Sequence, residues 1–96
     1  MIMLFANKIR QLREEKQLLQ RQLAAALGID TPMYCKIERG SRPVKRAQVV
    51  AIAKILTTDE DELLTPWLAD KILEVIKDEK ELAGIALNIA QQKIKR

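Results

Sequence analysis

The chain has 96 residues, a length typical of one domain, and its 17 basic and 13 acidic residues give a formal net charge of +4. Hydrophobic residues make up 48% of the sequence and aromatic residues only 3%, so we expect a core of Leu, Ile, Val and Ala packed between helices. The absence of His and the single Cys35 exclude a Cys/His metal site and an internal disulfide, and no apolar run approaches the ~20 residues of a membrane span. These features predict a small cytoplasmic protein without cofactor, metal or membrane partner.

The charge is unevenly distributed along the chain. Residues 1–46 contain ten Lys and Arg against four Asp and Glu, a net charge of +6, whereas residues 47–96 carry a net charge of −2. Because Lys and Arg bind phosphates with release of condensed counterions, a basic front half suits a polyanionic partner on one side of the molecule. A solvated charged surface explains the same asymmetry equally well, so charge alone does not decide between these interpretations.

Two short helices are predicted at the start of the chain. Phe5, Ile9 and Leu12 recur at helical spacing with polar residues between them, and they predict a helix over 4–16. The Ala-rich stretch 20–27 predicts a second helix.

A tight turn and a third helix follow. Gly28 is suited to the left-handed conformation that closes a helix, so we expect it to end the second one. Asp30 or Thr31 can cap the next helix, and Pro32 suits its first turn because the missing N–H is not needed there. The third helix is therefore predicted over 31–39.

The second half of the chain predicts further helices and no strand. A fourth helix is expected over 45–56, and Thr58 with the acidic run after it has the pattern of a helix start. Pro66 requires the fifth helix either to begin near Thr65 or to kink, and a start at Thr65 is favoured. A last amphipathic helix is predicted over 82–94, so the fold class is all-α.

The segment 20–40 has the order helix, tight turn, helix, which presents a second helix to the major groove of DNA. This segment and its flanks resemble the XRE family, the Cro and phage-repressor type of helix-turn-helix. The residues that carry the resemblance are Ile9, Leu12, Arg13, Leu18, Gln20, Leu23, Ala24, Leu27, Gly28, Ile37, Glu38, Gly40, Pro43, Ile52 and Ala53. The resemblance covers about the first two thirds of the chain and implies a five-helix repressor-type domain, to which the sequence adds a C-terminal amphipathic helix.

One further similarity and four departures from the usual pattern accompany the resemblance. The stretch 67–71 is similar to short regulators found beside DNA methyltransferase genes, which suggests a restriction-modification controller. Leu19 stands where the family usually caps the second helix with Ser or Thr, and Gln17 replaces a usual Gly. Cys35 and Tyr34 replace a usual Ser and a usual aliphatic residue, which affects the expected position of the recognition helix.

The resemblance implies two sets of residues that contact DNA. The set that faces base edges is Thr31, Pro32, Met33, Cys35 and Lys36. Lys36 is the best candidate because Lys can donate to guanine O6 and N7, with a phosphate contact as its alternative role. The set that contacts phosphates is Gln20, Arg21, Arg39, Ser41, Arg42, Lys45 and Arg46. For Arg42 and Arg46, plain solvated surface charge is a nearly equal alternative.

The resemblance also implies a structural ion pair between Arg13 and Glu38, which would fix the tilt of the recognition helix. We divide the chain into a DNA-binding region, 1–65, and a C-terminal region, 66–96, in which the apolar face of the last helix needs a partner. That face can fold back on its own domain or pack against a second subunit, and the second arrangement is favoured. The expected dimer interface consists of Trp67, Leu68, Ile72, Leu82, Ile85 and Ile89.

Two functions from different classes fit these features. The first is a sequence-specific regulator that binds double-stranded DNA as a homodimer on an inverted-repeat operator. The alternative is an antitoxin-type interaction protein that neutralises a partner protein and regulates its own operon. An enzyme with a small-molecule substrate is not expected, because the chain has no His, a single Cys and no glycine-rich phosphate loop.

Overall fold

The structure, a computed structural model, describes residues 3–95, and within this range the chain forms six helices and no strand. The helices are α1 (Leu4–Glu15), α2 (Gln20–Leu27), α3 (Thr31–Glu38), α4 (Arg46–Ile55), α5 (Glu60–Ile76) and α6 (Ala83–Ile94). The all-α fold class is confirmed, and all the predicted ranges except that of α5 agree with the structure to within a residue at each end. No helix in the described range is long and apolar enough to cross a membrane.

Helices α1 to α5 enclose one core. Helix α1 packs against α3 and α5, α2 packs against α3 and α4, and α4 packs against α5. The core side chains are Phe5, Ile9, Leu23, Ala24, Tyr34, Ile37, Val44, Val49, Ile52, Ala53, Leu56, Leu63 and Leu64. Aliphatic residues dominate, as the composition predicts, and Tyr34 is the largest of the fully buried side chains.

The first four helices end in the same motif. Each is closed by a backbone N–H that donates to the carbonyl five residues earlier, with all four bonds 3.0 Å long: Leu18 to Arg13, Ile29 to Ala24, Ser41 to Lys36 and Thr58 to Ala53. The residue before each donor is left-handed, with φ values of 57° for Gln17, 69° for Gly28, 75° for Gly40 and 54° for Thr57. The motif satisfies carbonyls that a helix end leaves free. The prediction for Gly28 is confirmed. The resemblance indicates a usual Gly at position 17, whereas nothing in the pattern predicted a left-handed Thr57.

The starts of α2, α3 and α4 are satisfied by side chains. Asp30 caps α3, since its Oδ1 accepts from the N–H of Met33 at 2.8 Å. Leu19 offers no capping oxygen to α2, but its own N–H donates to Oε1 of Gln22 at 2.7 Å. The same bond joins the N–H of Lys45 to Gln48 Oε1 at 2.9 Å before α4. Half of a capping box therefore remains where the hydroxyl is missing.

The predicted start of α5 at Thr65 is wrong. The helix begins at Glu60 and contains Pro66 in its second turn. Asp59 caps it, with Oδ1 accepting from the N–H of Asp61 at 3.2 Å, and three acidic residues occupy its first turn, where the helix dipole favours negative charge. The helical first turns also bring Leu63 and Leu64 into the core. Burial of two Leu side chains at about 1.5–3 kcal/mol each offsets the roughly 3 kcal/mol cost of an internal proline.

Helix α6 differs from the others because none of its residues is buried. The chain is accordingly elongated, with a radius of gyration of 15.1 Å and a longest dimension of 42 Å. A compact domain of this length has a radius of gyration of about 12.5 Å. The amphipathic helix predicted for the C-terminus is present, and it does not cover its apolar face against the five-helix core.

Candidate nucleic-acid interface

Helix α3 has one face in the core and one face toward solvent. Tyr34, Ile37 and Glu38 are buried, whereas Pro32 and Lys36, one helical turn apart, are exposed. Helix α2 and the turn after it support the buried face, so the exposed face projects from the molecule. This arrangement can place a helix in a groove about as wide as the major groove of DNA.

The five candidates for base contact lie on or beside this exposed face. Lys36 and Pro32 are exposed, and Thr31, Met33 and Cys35 are half-buried. Lys36 lies near the C-terminal end of α3, and its carbonyl accepts from the N–H of Ser41 at 3.0 Å and from the Ser41 hydroxyl at 3.2 Å. The backbone below the Lys36 side chain is therefore fixed while its ammonium remains in solvent.

Six of the seven candidates for phosphate contact are exposed: Arg21, Arg39, Ser41, Arg42, Lys45 and Arg46. Five of the six are cationic. The ion pairs found among the described residues join Arg13 to Glu38 and Lys77 to Glu74, so neither uses these five side chains. The chain thus presents unneutralised positive charge on α2, at the end of α3 and in the loop before α4, as a polyanion site requires.

Arg13 and Glu38 form an ion pair between α1 and α3. The Arg13 Nε donates to Glu38 Oε2 at 2.6 Å and its Nη2 donates to Oε1 at 3.2 Å, while Nη1 donates to the carbonyl of Leu18 at 2.8 Å. The Glu38 side chain is only 2% exposed, and its hydrogen bond raises the pKa of Arg13 above the ordinary value. A bidentate bond to a buried carboxylate fixes both partners in position and orientation.

Gln20 is the candidate for phosphate contact that is not freely exposed. Its Nε2 donates to Glu38 Oε1 at 3.2 Å and its Oε1 accepts from Cys35 Sγ at 2.9 Å. Both bonds link the start of α2 to α3, so the Gln20 amide is engaged within the protein. Cys35 belongs to the same cluster, and its thiol points toward Gln20 rather than toward the exposed face of α3.

The residues assigned to a dimer interface fall into two groups. Five are exposed apolar side chains, with exposed fractions between 48% and 62%: Leu68, Ile72, Leu82, Ile85 and Ile89. Trp67 instead packs partly against the core, and its Nε1 donates to the carbonyl of Val44 at 2.9 Å. Lys71 Nζ lies 4.6 Å from the centre of the Trp67 ring, a cation–π distance.

Asp70 is a structural residue that the sequence did not indicate. Its Oδ1 and Oδ2 accept from the N–H groups of Leu4 and Phe5, each at 3.0 Å. Helix α1 has no local side-chain cap, so α5 supplies the cap from about two thirds of the chain away. A pairing at that separation produces no periodic signal in the sequence.

The sequence of this chain is similar to a known domain family and to a known protein. Residues 4–65, about two thirds of the chain, match the family model described as a helix-turn-helix domain. The chain is similar to the uncharacterized HTH-type transcriptional regulator YqaE of Bacillus subtilis (strain 168), with 31% identity over 71 residues, which cover 74% of this chain and 61% of that relative. The chain therefore spans about three fifths of the length of the relative it matches. No solved structure matches significantly.

Proposed function

The chain belongs to the helix-turn-helix domain family, and from this premise we propose that it is a sequence-specific transcriptional regulator that binds double-stranded DNA. The observation that carries the proposal is the exposed face of α3, which bears Lys36 and has cations outside the ion pairs before and after it in the chain. A helix of this kind reads base edges in the major groove, while the surrounding Arg and Lys neutralise phosphates.

Lys36 is proposed to select the base sequence. Its ammonium is exposed and can donate to guanine O6 and N7. Thr31 can donate to or accept from a base edge, and the apolar surfaces of Pro32 and Met33 can contact a thymine methyl group. Cys35 lies at the margin of this surface, because its thiol hydrogen bonds to Gln20.

The phosphate contacts are proposed to fix the docking register. Arg39, Ser41 and Arg42 lie directly after the end of α3, and Lys45 and Arg46 lie at the start of α4. Arg21 at the start of α2 completes the set, so exposed cations precede and follow α3 in the chain, whereas the Gln20 amide is engaged with Glu38 and Cys35. Such contacts contribute affinity for any sequence and carry no base information directly.

The exposed apolar surface of α5 and α6 supports a homodimer. The chain exposes 6956 Å², whereas a folded monomer of 11.0 kDa exposes about 5600 Å² by the usual scaling with mass. The excess is larger than the roughly 800 Å² that each partner buries in a standard interface. A two-fold dimer through this surface suits an inverted repeat with half-sites about 10 bp apart. In this proposal, residues 66–96 join the two subunits and residues 1–65 contact DNA.

The first test is the salt dependence of binding to a selected duplex. Each phosphate neutralised contributes about −0.9 to the slope of log affinity against log salt concentration. Six or more contacts per subunit therefore predict a steep negative slope. A slope near zero would exclude the nucleic-acid assignment.

The second test separates base contacts from phosphate contacts. The variant Lys36→Ala should lose about 1–3 kcal/mol of binding free energy on the preferred sequence and relax the preference at one base pair per half-site. The variant Arg42→Ala, which removes a cation from the adjacent loop, should weaken all sequences alike. Selection of binding sites from a random library measures both effects. An unchanged selected motif for Lys36→Ala would contradict the base-reading role.

A further inference from the structure

Besides its core packing on α1 and α4, helix α5 makes side-chain hydrogen bonds at two points to the recognition unit, defined here as α1 to α4 with their loops. Trp67 Nε1 donates to the carbonyl of Val44, in the loop between α3 and α4, at 2.9 Å. Three residues later, Asp70 accepts from the first two N–H groups of α1 at 3.0 Å each. Residues three apart lie on the same side of a helix, so the two bonds clamp α5 to α1 and to the α3–α4 loop simultaneously.

Both attachment points continue to α3. Helix α1 carries Arg13, which pairs with Glu38 at the end of α3. The loop that contains Val44 begins where Ser41 hydrogen bonds to the carbonyl of Lys36. Two separate hydrogen-bonded routes therefore join α5 to the C-terminal half of α3. Hydrogen bonds to fixed backbone groups require particular directions, so they add an orientational constraint to the apolar packing of α5.

The same helix carries the exposed stripe of Leu68, Ile72 and Val75, spaced four and three residues apart. This stripe is part of the surface proposed for the second subunit. Helix α5 thus bears the dimer surface on one side and the two attachments on a neighbouring side. Any rotation of α5 against the recognition unit would change the separation of the two α3 helices in a dimer.

We propose that Trp67 and Asp70 are positioning residues that set the separation and angle of the two recognition helices, and so determine which half-site spacing the dimer reads. This inference rests on the proposed function, because it concerns a homodimer on an inverted repeat. A spacing change of one base pair moves a half-site by about 3.4 Å and rotates it by about 34°. A rigid attachment discriminates between such spacings, and a loose one does not.

The test uses the full-length chain with two conservative variants. Trp67→Phe keeps an aromatic ring in the same place and removes the N–H donor to Val44. Asp70→Asn keeps one acceptor for the start of α1 and loses the second. Glu74→Gln is the matched control, because it makes the same carboxylate-to-amide change one turn further along α5 at an exposed position. Circular dichroism and thermal unfolding establish the temperature at which all four proteins are folded.

Two affinities are then measured for each protein at that temperature, one for an isolated half-site and one for a series of inverted repeats whose spacers differ by one base pair. We expect half-site affinity to stay within about twofold in all variants, since the contacts to DNA are unchanged. The wild type and Glu74→Gln should prefer one spacer by about tenfold or more over its neighbours, and this ratio should fall below about threefold in Trp67→Phe and Asp70→Asn.

The outcomes distinguish failure of the positioning role from failure of the proposed function. If the wild type prefers one spacer and both variants keep that preference while folded, the positioning role is wrong and the proposed function stands. If the wild type binds half-sites without any spacer preference, the homodimer on an inverted repeat is wrong, and the inference fails with it. Because Trp67→Phe and Asp70→Asn act on different attachments, loss of fold in one still leaves the other as a test.

Discussion

Within residues 3–95, two residues other than glycine adopt left-handed conformations, both at helix ends. Gln17, after α1, has φ 57°, and Thr57, after α4, has φ 54°. A side chain in this region costs roughly 1–2 kcal/mol, and a β-branched side chain fits it least well. Gln17 is the position at which the resemblance indicated a usual Gly, and the structure explains why Gly would suit it.

We expect Gln17→Gly and Thr57→Gly to raise the free energy of unfolding, by about 0.5–1 kcal/mol, with the larger gain for Thr57. The relief of the left-handed strain exceeds the entropic cost of a new glycine, which is roughly 0.5–1 kcal/mol. Urea denaturation measures the change. The reverse substitution, Gly28→Ala, is the control: a Cβ there meets no atom within 4 Å, so its expected destabilisation reports the backbone conformation alone. Loss of stability in both glycine variants would contradict the argument.

Tyr34 is a third residue with a consequence for stability, through its buried phenol. The side chain is completely buried, and among the described residues its hydroxyl has no hydrogen-bond partner. Burial raises the pKa of Tyr34 above the ordinary value, and the neighbouring Glu38 carboxylate raises it further. The folded state therefore retains a proton that the unfolded state releases near pH 10, so this residue makes the fold less stable as pH rises above about 10.

Tyr34→Phe should stabilise the fold by about 1 kcal/mol at neutral pH, because it removes a buried hydroxyl without a partner. It should also shift alkaline unfolding to higher pH. Since Tyr34 is the single tyrosine, phenolate absorbance in the wild type should appear together with loss of helical circular dichroism. Ionisation of the phenol in a chain that is still fully helical, or an earlier alkaline transition in Tyr34→Phe, would show that the hydroxyl is satisfied or reachable by solvent.

At the scale of the element, the sequence predicted correctly the helices whose ends are set by the conformation or capping of nearby residues. Gly28 ends α2 by its own conformation, and Asp30 with Pro32 begins α3. Helix α5 was predicted to start at Thr65 because Pro66 is a strong local signal against an earlier start. The burial of Leu63 and Leu64 in the core decides otherwise, and that burial depends on α4 and α1, which a local pattern does not contain.

The candidate site likewise contains features that the local sequence pattern predicts and contacts that depend on the tertiary fold. The exposed positions of α3 follow from helical periodicity once its buried face is recognised. The bonds of Trp67 to Val44 and of Asp70 to the start of α1 could not be predicted, because they join residues 23 and more than 60 positions apart. The engagement of the Gln20 amide with Glu38 and Cys35 likewise depends on how α2 crosses α3.

Replacement of Pro66 tests how much α5 depends on tertiary packing. Pro66→Ala restores a backbone donor in the second turn and removes the ring from the preceding carbonyl, so the free energy of unfolding should rise by about 1–2 kcal/mol after allowance for the freer unfolded chain. Thr65→Ala is the matched control for helix propensity, with an expected gain of only about 0.5 kcal/mol. An unchanged or lower stability of Pro66→Ala would indicate that the ring contributes packing that outweighs its backbone cost.

At the scale of the whole molecule, the core is complete before α6 begins. Its buried residues lie between Phe5 and Leu64, with Trp67 packed against them, whereas α6 contributes none. A chain ended after Asp78 should therefore remain helical and cooperatively folded. Thermal unfolding should give a transition close to that of the full-length subunit at concentrations where neither is associated.

The same truncation should abolish dimerisation, because it removes the exposed residues Leu82, Ile85 and Ile89. In the full-length chain, Ile85→Glu should have the same effect by placing a charge in the apolar surface. Gln91→Glu adds the same charge at an exposed position on the polar side of α6 and should leave association intact. Sedimentation equilibrium measures the change. Since coupling of two half-site contacts raises affinity by about 10²–10⁴, both disrupted proteins should lose that factor on an inverted repeat and keep their affinity for one half-site.

Three results would contradict the proposed role of α6 as the homodimer interface. A truncated chain that still dimerises with full strength would place the interface within α1 to α5. A weaker dimer of Gln91→Glu, equal to that of Ile85→Glu, would mean that charge rather than the apolar face controls association. A full-length chain that is monomeric at all concentrations would leave the α6 surface for a different protein, which is the arrangement expected of an antitoxin-type interaction protein. Each result is read from the same sedimentation series, so the apolar face of α6 is assigned to a second copy or to another partner by one experiment.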